Sequence, residues 1–394
     1  MKIKYRHEVD PKTTWDLSDL FESEDAFDET LDKTEQDIQT LVNNYKGKIH
    51  TEKDVIDVLS KYADVQEQIV HLSTYASLNV SEDQYNQENM ARSGKLQMRL
   101  SQMLPQLNFI DQEIKRLDLE TLNKVKEVEP YLTRTIDRVI RNLDHNLVPD
   151  VEDAISALSG SLNAPYETYN MNKLVDMKFD PIDIDGKEVA FSFGFFEDQL
   201  AFDNDKKIRD AAFASFNKTL ENNQHTHAGL YKAQVLKEKA IGKLKGFDST
   251  IDYLLFDQEV TRDMYDRQID LIMNHLAKPM QKFAKHLQHI HKLDKMTTND
   301  LHLVVDPDFE PDISINEAKV QLLDGLSILG DDYLEMVQKA FDERWIDFPQ
   351  NHGKSTGAFC SSPYGVHPCV LISCTQKMRE VFVLAHELGH AGHF

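Results

Sequence analysis

The sequence predicts a mainly α, multi-helix fold interrupted only by a small β-hairpin and a few short strands. Three observations point that way. Fifteen Gly and 12 Pro among 394 residues leave long unbroken stretches rich in Leu, Ala, Glu, Lys and Gln. Apolar residues recur in those stretches at helical spacing. Only two internal segments break that period before the final strands and helix.

The first break covers residues 179–196. Ile182 and Ile184 alternate with acids, Asp185-Gly186 is a hairpin-turn signal, and Val189, Phe191 and Phe193 alternate again. A β-hairpin is expected there. It also marks a boundary between an N-terminal helical region, residues 1–195, and a second region, residues 196–394. Beyond it, Ile208, Ala212, Phe216 and Leu220 fall four apart and define one buried stripe. From about 262 to 293 the set Ile269, Ile272, Leu276, Phe283, Leu287 and Ile290 keeps a helical period. Thr261 is placed to cap that helix and Pro279 to kink or divide it. The second break, residues 299–316, carries Pro307 and Pro311 among acids and reads as a loop with at most a short strand over 301–305. Residues 354–374 read as two short strands joined by a turn. Pro368 cannot donate to a ladder, so its strand is expected at a sheet edge, where an extended peptide could add.

Composition narrows the function. Forty-four Lys and Arg against 67 Asp and Glu give a net charge of −23, which disfavours phosphate backbones and anionic lipid heads. No nucleic-acid or membrane role is expected. No apolar run approaches the roughly 18 residues of a membrane span, and the charged N-terminus lacks a secretory h-region, so a cytoplasmic location is expected. Cys360, Cys369 and Cys374 have neither the number nor the spacing of a disulfide framework or structural zinc site.

The chemistry concentrates in His386-Glu387-Leu388-Gly389-His390. On a helix, residues four apart lie about 40° apart around the axis and roughly 6 Å along it, so both imidazoles can reach one metal ion. Glu387, one position on, can act as general base on a zinc-bound water without being a ligand itself. Residues 381–385 lead into the motif as a buried helix should. Gly389 costs that helix about 1 kcal/mol relative to Ala, which predicts a close approach to the backbone there. A third ligand is harder to find. His393 would sit roughly 10 Å along the axis from His386, and Glu380 about 120° around it. His286, His289 and His291 cannot form a second metal site, since the last two point about 160° apart on one helix.

Gly357-Ala358-Phe359, the strand over 366–373 and the run 380–393 resemble the active-site region of oligoendopeptidase F, a thimet-oligopeptidase-like zinc peptidase. Residues 14–21 are similar to the N-terminal signature of those enzymes, and the hairpin at Asp185-Gly186 also fits. The resemblance implies a two-lobed helical peptidase fold with short edge strands beside the zinc helix. Residues 1–195 would form the N-terminal helical region, and 196–394 the N-terminal part of the catalytic domain. It implies a zinc-dependent endopeptidase acting on short oligopeptides, with Gly357, Ala358 and Phe359 at the substrate. His393 matches the further histidine of the family motif. In that family the third zinc ligand is a glutamate on a later helix, expected here beyond residue 394. The alternative expectation is a truncated, inactive helical protein that at most binds peptide.

Overall fold

The structure, a computed structural model, describes residues 4–393 apart from 192, 199, 307, 308, 310, 356 and 375. Helix dominates it, with two small sheets. In the first, β1 (Ile182–Ile184) and β2 (Lys187–Val189) pair antiparallel with Ile182 opposite Val189. In the second, β3 (Ile346–Asp347) runs parallel to β5 (Cys369–Ile372), and β4 (Ala358–Ser361) pairs antiparallel with the other side of β5. The chain forms two compact units, Met1–Arg141 with Glu310–Phe394, and Asn142–Phe309. The sequence boundary at 195/196 falls inside the second unit, so the two divisions partition the chain differently.

The first unit begins with three long helices: α1 (Glu24–Tyr45), α2 (Glu52–Glu82) and α3 (Gln87–Met103). Each starts at a side-chain cap. Ser23 accepts from the Ala26 N–H, Thr51 and Asp54 form a capping box, and Asn86 accepts from Glu88 and Asn89. Phe27, Leu31, Ile38 and Leu41 on α1, and Val58, Val65, Ile69 and Leu72 on the adjoining α2, are all buried at spacings of three, four or seven residues. Lys95 with Asp28 at 2.9 Å and Arg99 with Asp32 at 2.6 Å lace α3 to α1 on the solvent side.

The same unit contains a second core. Ile313, Leu322, Val337, Trp345, Ile346, Val370, Ile372, Val381, Leu384 and Leu388 bury one another. Helices Ile315–Gly325 and Asp331–Asp342, the β3–β5–β4 sheet and helix Met378–His393 supply these residues, apart from Ile313 and Trp345 in the chain just before the first of these helices and just before β3. This core positions the motif.

In the second unit the hairpin is where the sequence puts it. Asp185 and Gly186 have φ of 53° and 77°, the left-handed pair a tight hairpin turn needs. The strand alternation stops sooner than expected, because Phe193 already opens a short helix, Phe193–Asp198. Phe179, Phe191, Phe196 and Phe216 stack into an aromatic core, with the rings of Phe196 and Phe216 4.0 Å apart. Ala212 and Phe216 are buried on the 39-residue helix Lys206–Leu244, with Ile208 and Leu220 packed alongside. Thr261 caps the next helix by accepting from the Met264 N–H. That helix passes through a π turn, Ile272–Leu276, just before Pro279, and resumes as Ala277–Ile290. The wider turn accommodates the missing proline N–H. Of its apolar set Leu287 is buried, whereas Ile269, Ile272, Leu276 and Phe283 are exposed.

The loop reading of residues 301–305 holds without a strand, and the edge reading of the strand after Pro368 is corrected. No strand forms over 301–305. A 3-10 turn, Thr298–Asp300, leads into irregular chain whose Val304 carbonyl accepts from His291, and Pro307 lies outside the described residues. The strand after Pro368 is central, not an edge, because the proline stands one residue before β5 and removes no ladder donor from it. The edge is β4.

Candidate active site

Helix Met378–His393, here the motif helix, is anchored on one side. Val381, Leu384, Leu388 and Ala391 are buried at spacings of three and four, so the helix face bearing His386 and His390 is exposed. Glu380, considered above as a ligand, instead accepts from the Lys377 N–H at 2.8 Å, a capping role at the helix start. Gly389 does not meet the close approach expected: a Cβ there would find nothing within 4 Å among the described residues. The tight glycine is Gly392, where a Cβ would stand 2.6 Å from Tyr333 Cε2. Gly392 lets the motif helix lie against helix Asp331–Asp342.

The two imidazoles converge. His386 Nε2 and His390 Nε2 are 3.1 Å apart, with ring planes at 84° and centroids 4.8 Å apart. Two nitrogens bound tetrahedrally to zinc at about 2.0–2.1 Å each are separated by roughly 3.3 Å. The pair therefore fits a zinc ion as two of its ligands. Among the described residues no group of three His, Cys, Asp or Glu could hold a metal, so neither His393 nor Glu380 completes the set.

Glu387, between the two histidines in sequence, is buried, with 7% exposed. Burial pushes the Cys360 thiol on β4 up, and the Glu387 carboxylate raises it further. Gly357, at φ 81°, delivers the chain into β4, where Ala358 and Phe359 follow. The Ser373 N–H donates to the Gly357 carbonyl, so residues 357, 359 and 361 direct their backbone groups to β5. Ala358 and Cys360 direct theirs to the open edge. An open groove of about 510 Å³ lined by Met378, Arg379, Phe382, Val383 and His386 adjoins the ring pair. A larger cavity, about 700 Å³ and lined by residues of α1, α2 and the segment before them, contains none of these side chains.

Sequence reasoning missed a buried charge cluster behind the sheet. Asp347 on β3 accepts from Arg6 at 2.6 and 2.9 Å and from Lys354 Nζ at 2.6 Å, and Glu82 accepts from Arg6 and the Trp15 indole, each at 2.6 Å. Arg6 and Asp347 are 341 positions apart, and no local pattern links them.

No helix among the described residues is long and apolar enough to cross a membrane. Peptidase family M3 matches residues 199–394, and Oligopeptidase F, an N-terminal family, matches residues 113–179. Oligopeptidase PepF of Bacillus subtilis is 26% identical over 98% of this chain and 58% of its own length. An oligoendopeptidase F homolog of Lactococcus lactis is 22% identical over 99% of this chain and 65% of its own. The chain thus spans about three fifths of the length of such curated relatives. A crystal structure of oligoendopeptidase-F from Enterococcus faecium superposes with a TM-score of 0.64 at 20% identity, over 80% of this chain and 60% of that one. That likeness shows a shared fold. With the two family matches in chain order and the converging histidines inside the larger match, the protein belongs to peptidase family M3.

Proposed function

We propose that this chain contributes the metal-binding and general-base elements of a zinc endopeptidase that hydrolyses short oligopeptides. One observation supports the reading above the rest: two imidazole nitrogens on one helix stand 3.1 Å apart on an exposed face, with a buried carboxylate one residue along. His386 and His390 would hold the ion. Zinc bound there would polarise a scissile carbonyl and make water acidic enough to give up a proton near pH 7. Glu387 would take that proton on its carboxylate and hand it to the departing amine. The outward N–H and C=O groups of Ala358 and Cys360 would hold a peptide as an added strand, with Gly357 giving the substrate backbone room to approach. Because an added strand must be extended, the site would take unstructured oligopeptides.

Residues 1–195 would serve as the N-terminal helical region and 196–394 as the start of the catalytic domain. The third protein ligand would come from outside the described residues. The lack of a third donor among the described residues favours a second reading, a chain that binds peptide without cutting it. A quenched fluorescent oligopeptide separates the two when assayed with the chain and with Glu387→Gln in the presence of zinc. Cleavage by the parent and none by the variant supports the endopeptidase. Equal cleavage by both removes Glu387 from the mechanism, and peptide binding without cleavage supports the second reading.

A further inference from the structure

Lys354 is one of the most buried cations in the chain, with 1% of its side chain exposed. Its ammonium donates to the Asp347 carboxylate at 2.6 Å and to the carbonyls of Asp347, Pro349 and Ile372 at 3.0, 2.7 and 2.8 Å. The Ile372 bond has a clear physical reason. The parallel register, Ile346 opposite Val370 and Asp347 opposite Leu371, brings residue 349 next as the donor to Ile372. Residue 349 is proline and has no N–H, so the ladder would end on a bare, buried carbonyl. Lys354 Nζ supplies the missing donor. Burial holds its ammonium below the usual lysine range, opposed only in part by the Asp347 carboxylate, and Arg6 holds that carboxylate in place with two bonds.

Lys354 therefore ties the end of β3 and the end of β5 to a loop that enters β4 four residues later. Further bonds brace the loop: Ser355 N–H to the Ser81 carbonyl, Ser355 carbonyl from the Ser373 hydroxyl, and Gln84 N–H to the Gly353 carbonyl. We propose that Lys354 is a positioning residue that fixes the edge strand β4 beside the motif helix, and that Arg6 on the N-terminal segment supports it through Asp347. This rests on the reading of β4 as the peptide-binding edge, and it adds a role for two cations that touch neither metal nor substrate.

The test follows amide hydrogen exchange in the full chain for the parent, Lys354→Met and Arg6→Gln, with Lys319→Met as a surface-pair control. The informative amides are Phe359, Ser361 and Ser373, which face the β4–β5 ladder. Lys354→Met is expected to speed their exchange on the order of 10²-fold, as loss of one partner from a buried ion pair does. Arg6→Gln is expected to give about 10-fold at the same amides, and it serves if the lysine variant does not fold. The helices α1 to α3 should be unchanged. Unchanged exchange at the three amides, or equal acceleration throughout α1 to α3, would overturn the proposal. A second readout uses a fluorescein-labelled unstructured nonapeptide. If the parent binds it and the lysine variant binds at least about 10-fold more weakly, the edge is both fixed and used. If the parent does not bind, the peptide-site reading fails while the exchange result still decides the positioning role.

Discussion

Arg209 and Asp300, 91 positions apart, meet at 2.7 Å inside the second unit with 2% and 0% of their side chains exposed. The guanidinium also donates to the Asp203 and Asn204 carbonyls, and Asp300 accepts from the backbone and hydroxyl of Thr297. Both terminal nitrogens of the guanidinium are committed, and its Nε is buried without a partner among the described residues. Asp300→Asn keeps the shape but leaves Arg209 without a counter-charge, an expected loss of about 3–5 kcal/mol in urea unfolding. A loss below about 1 kcal/mol would show that water reaches the pair.

The same pair sets an acid dependence. Burial pushes the Asp300 carboxyl up, but bonds from Thr297 and Arg209 prevail and hold it below its ordinary 3.8. A depressed folded value means the stabilisation is present above 3.8 and is lost as pH falls through the folded value. Stability of the parent should fall across that acid window, and Asp300→Asn should lack this component. Parallel curves for the two proteins would contradict the assignment.

Two glycines of the motif helix should respond oppositely to alanine. Gly389 has open space and an unstrained helical backbone, so Gly389→Ala should raise stability by about 1 kcal/mol. At Gly392 the new methyl meets Tyr333 at 2.6 Å, so Gly392→Ala should cost about 1–3 kcal/mol. Thermal melts of both variants check the packing, and matching signs would refute it.

Burial pushes the Cys369 thiol up to about 12. At pH 8 a disulfide reagent should leave Cys369 unmodified in the folded chain and label it in guanidinium. Rapid labelling without denaturant would mean that β5 is not central.

What the sequence made legible was local. The Asp185-Gly186 turn and the Thr261 cap each depend on residues within four positions, and both form as read. His386 and His390 converge because helical geometry alone brings them together. Non-local facts were not legible. Pro368 suggested an edge strand, yet whether a strand is central depends on β3 and β4, which local reading cannot order. Gly389 and Gly392 look alike in sequence, and only the helix carrying Tyr333 distinguishes them. Lys354 gave no signal, because its meaning comes from Pro349, Ile372 and an aspartate held by residue 6.

The most direct test of the central claim is zinc titration calorimetry on the chain and on the His386→Ala/His390→Ala double variant. Binding of one zinc per chain, weakened at least about 10²-fold in the variant, is the predicted result. Equal affinity in the two proteins would contradict it.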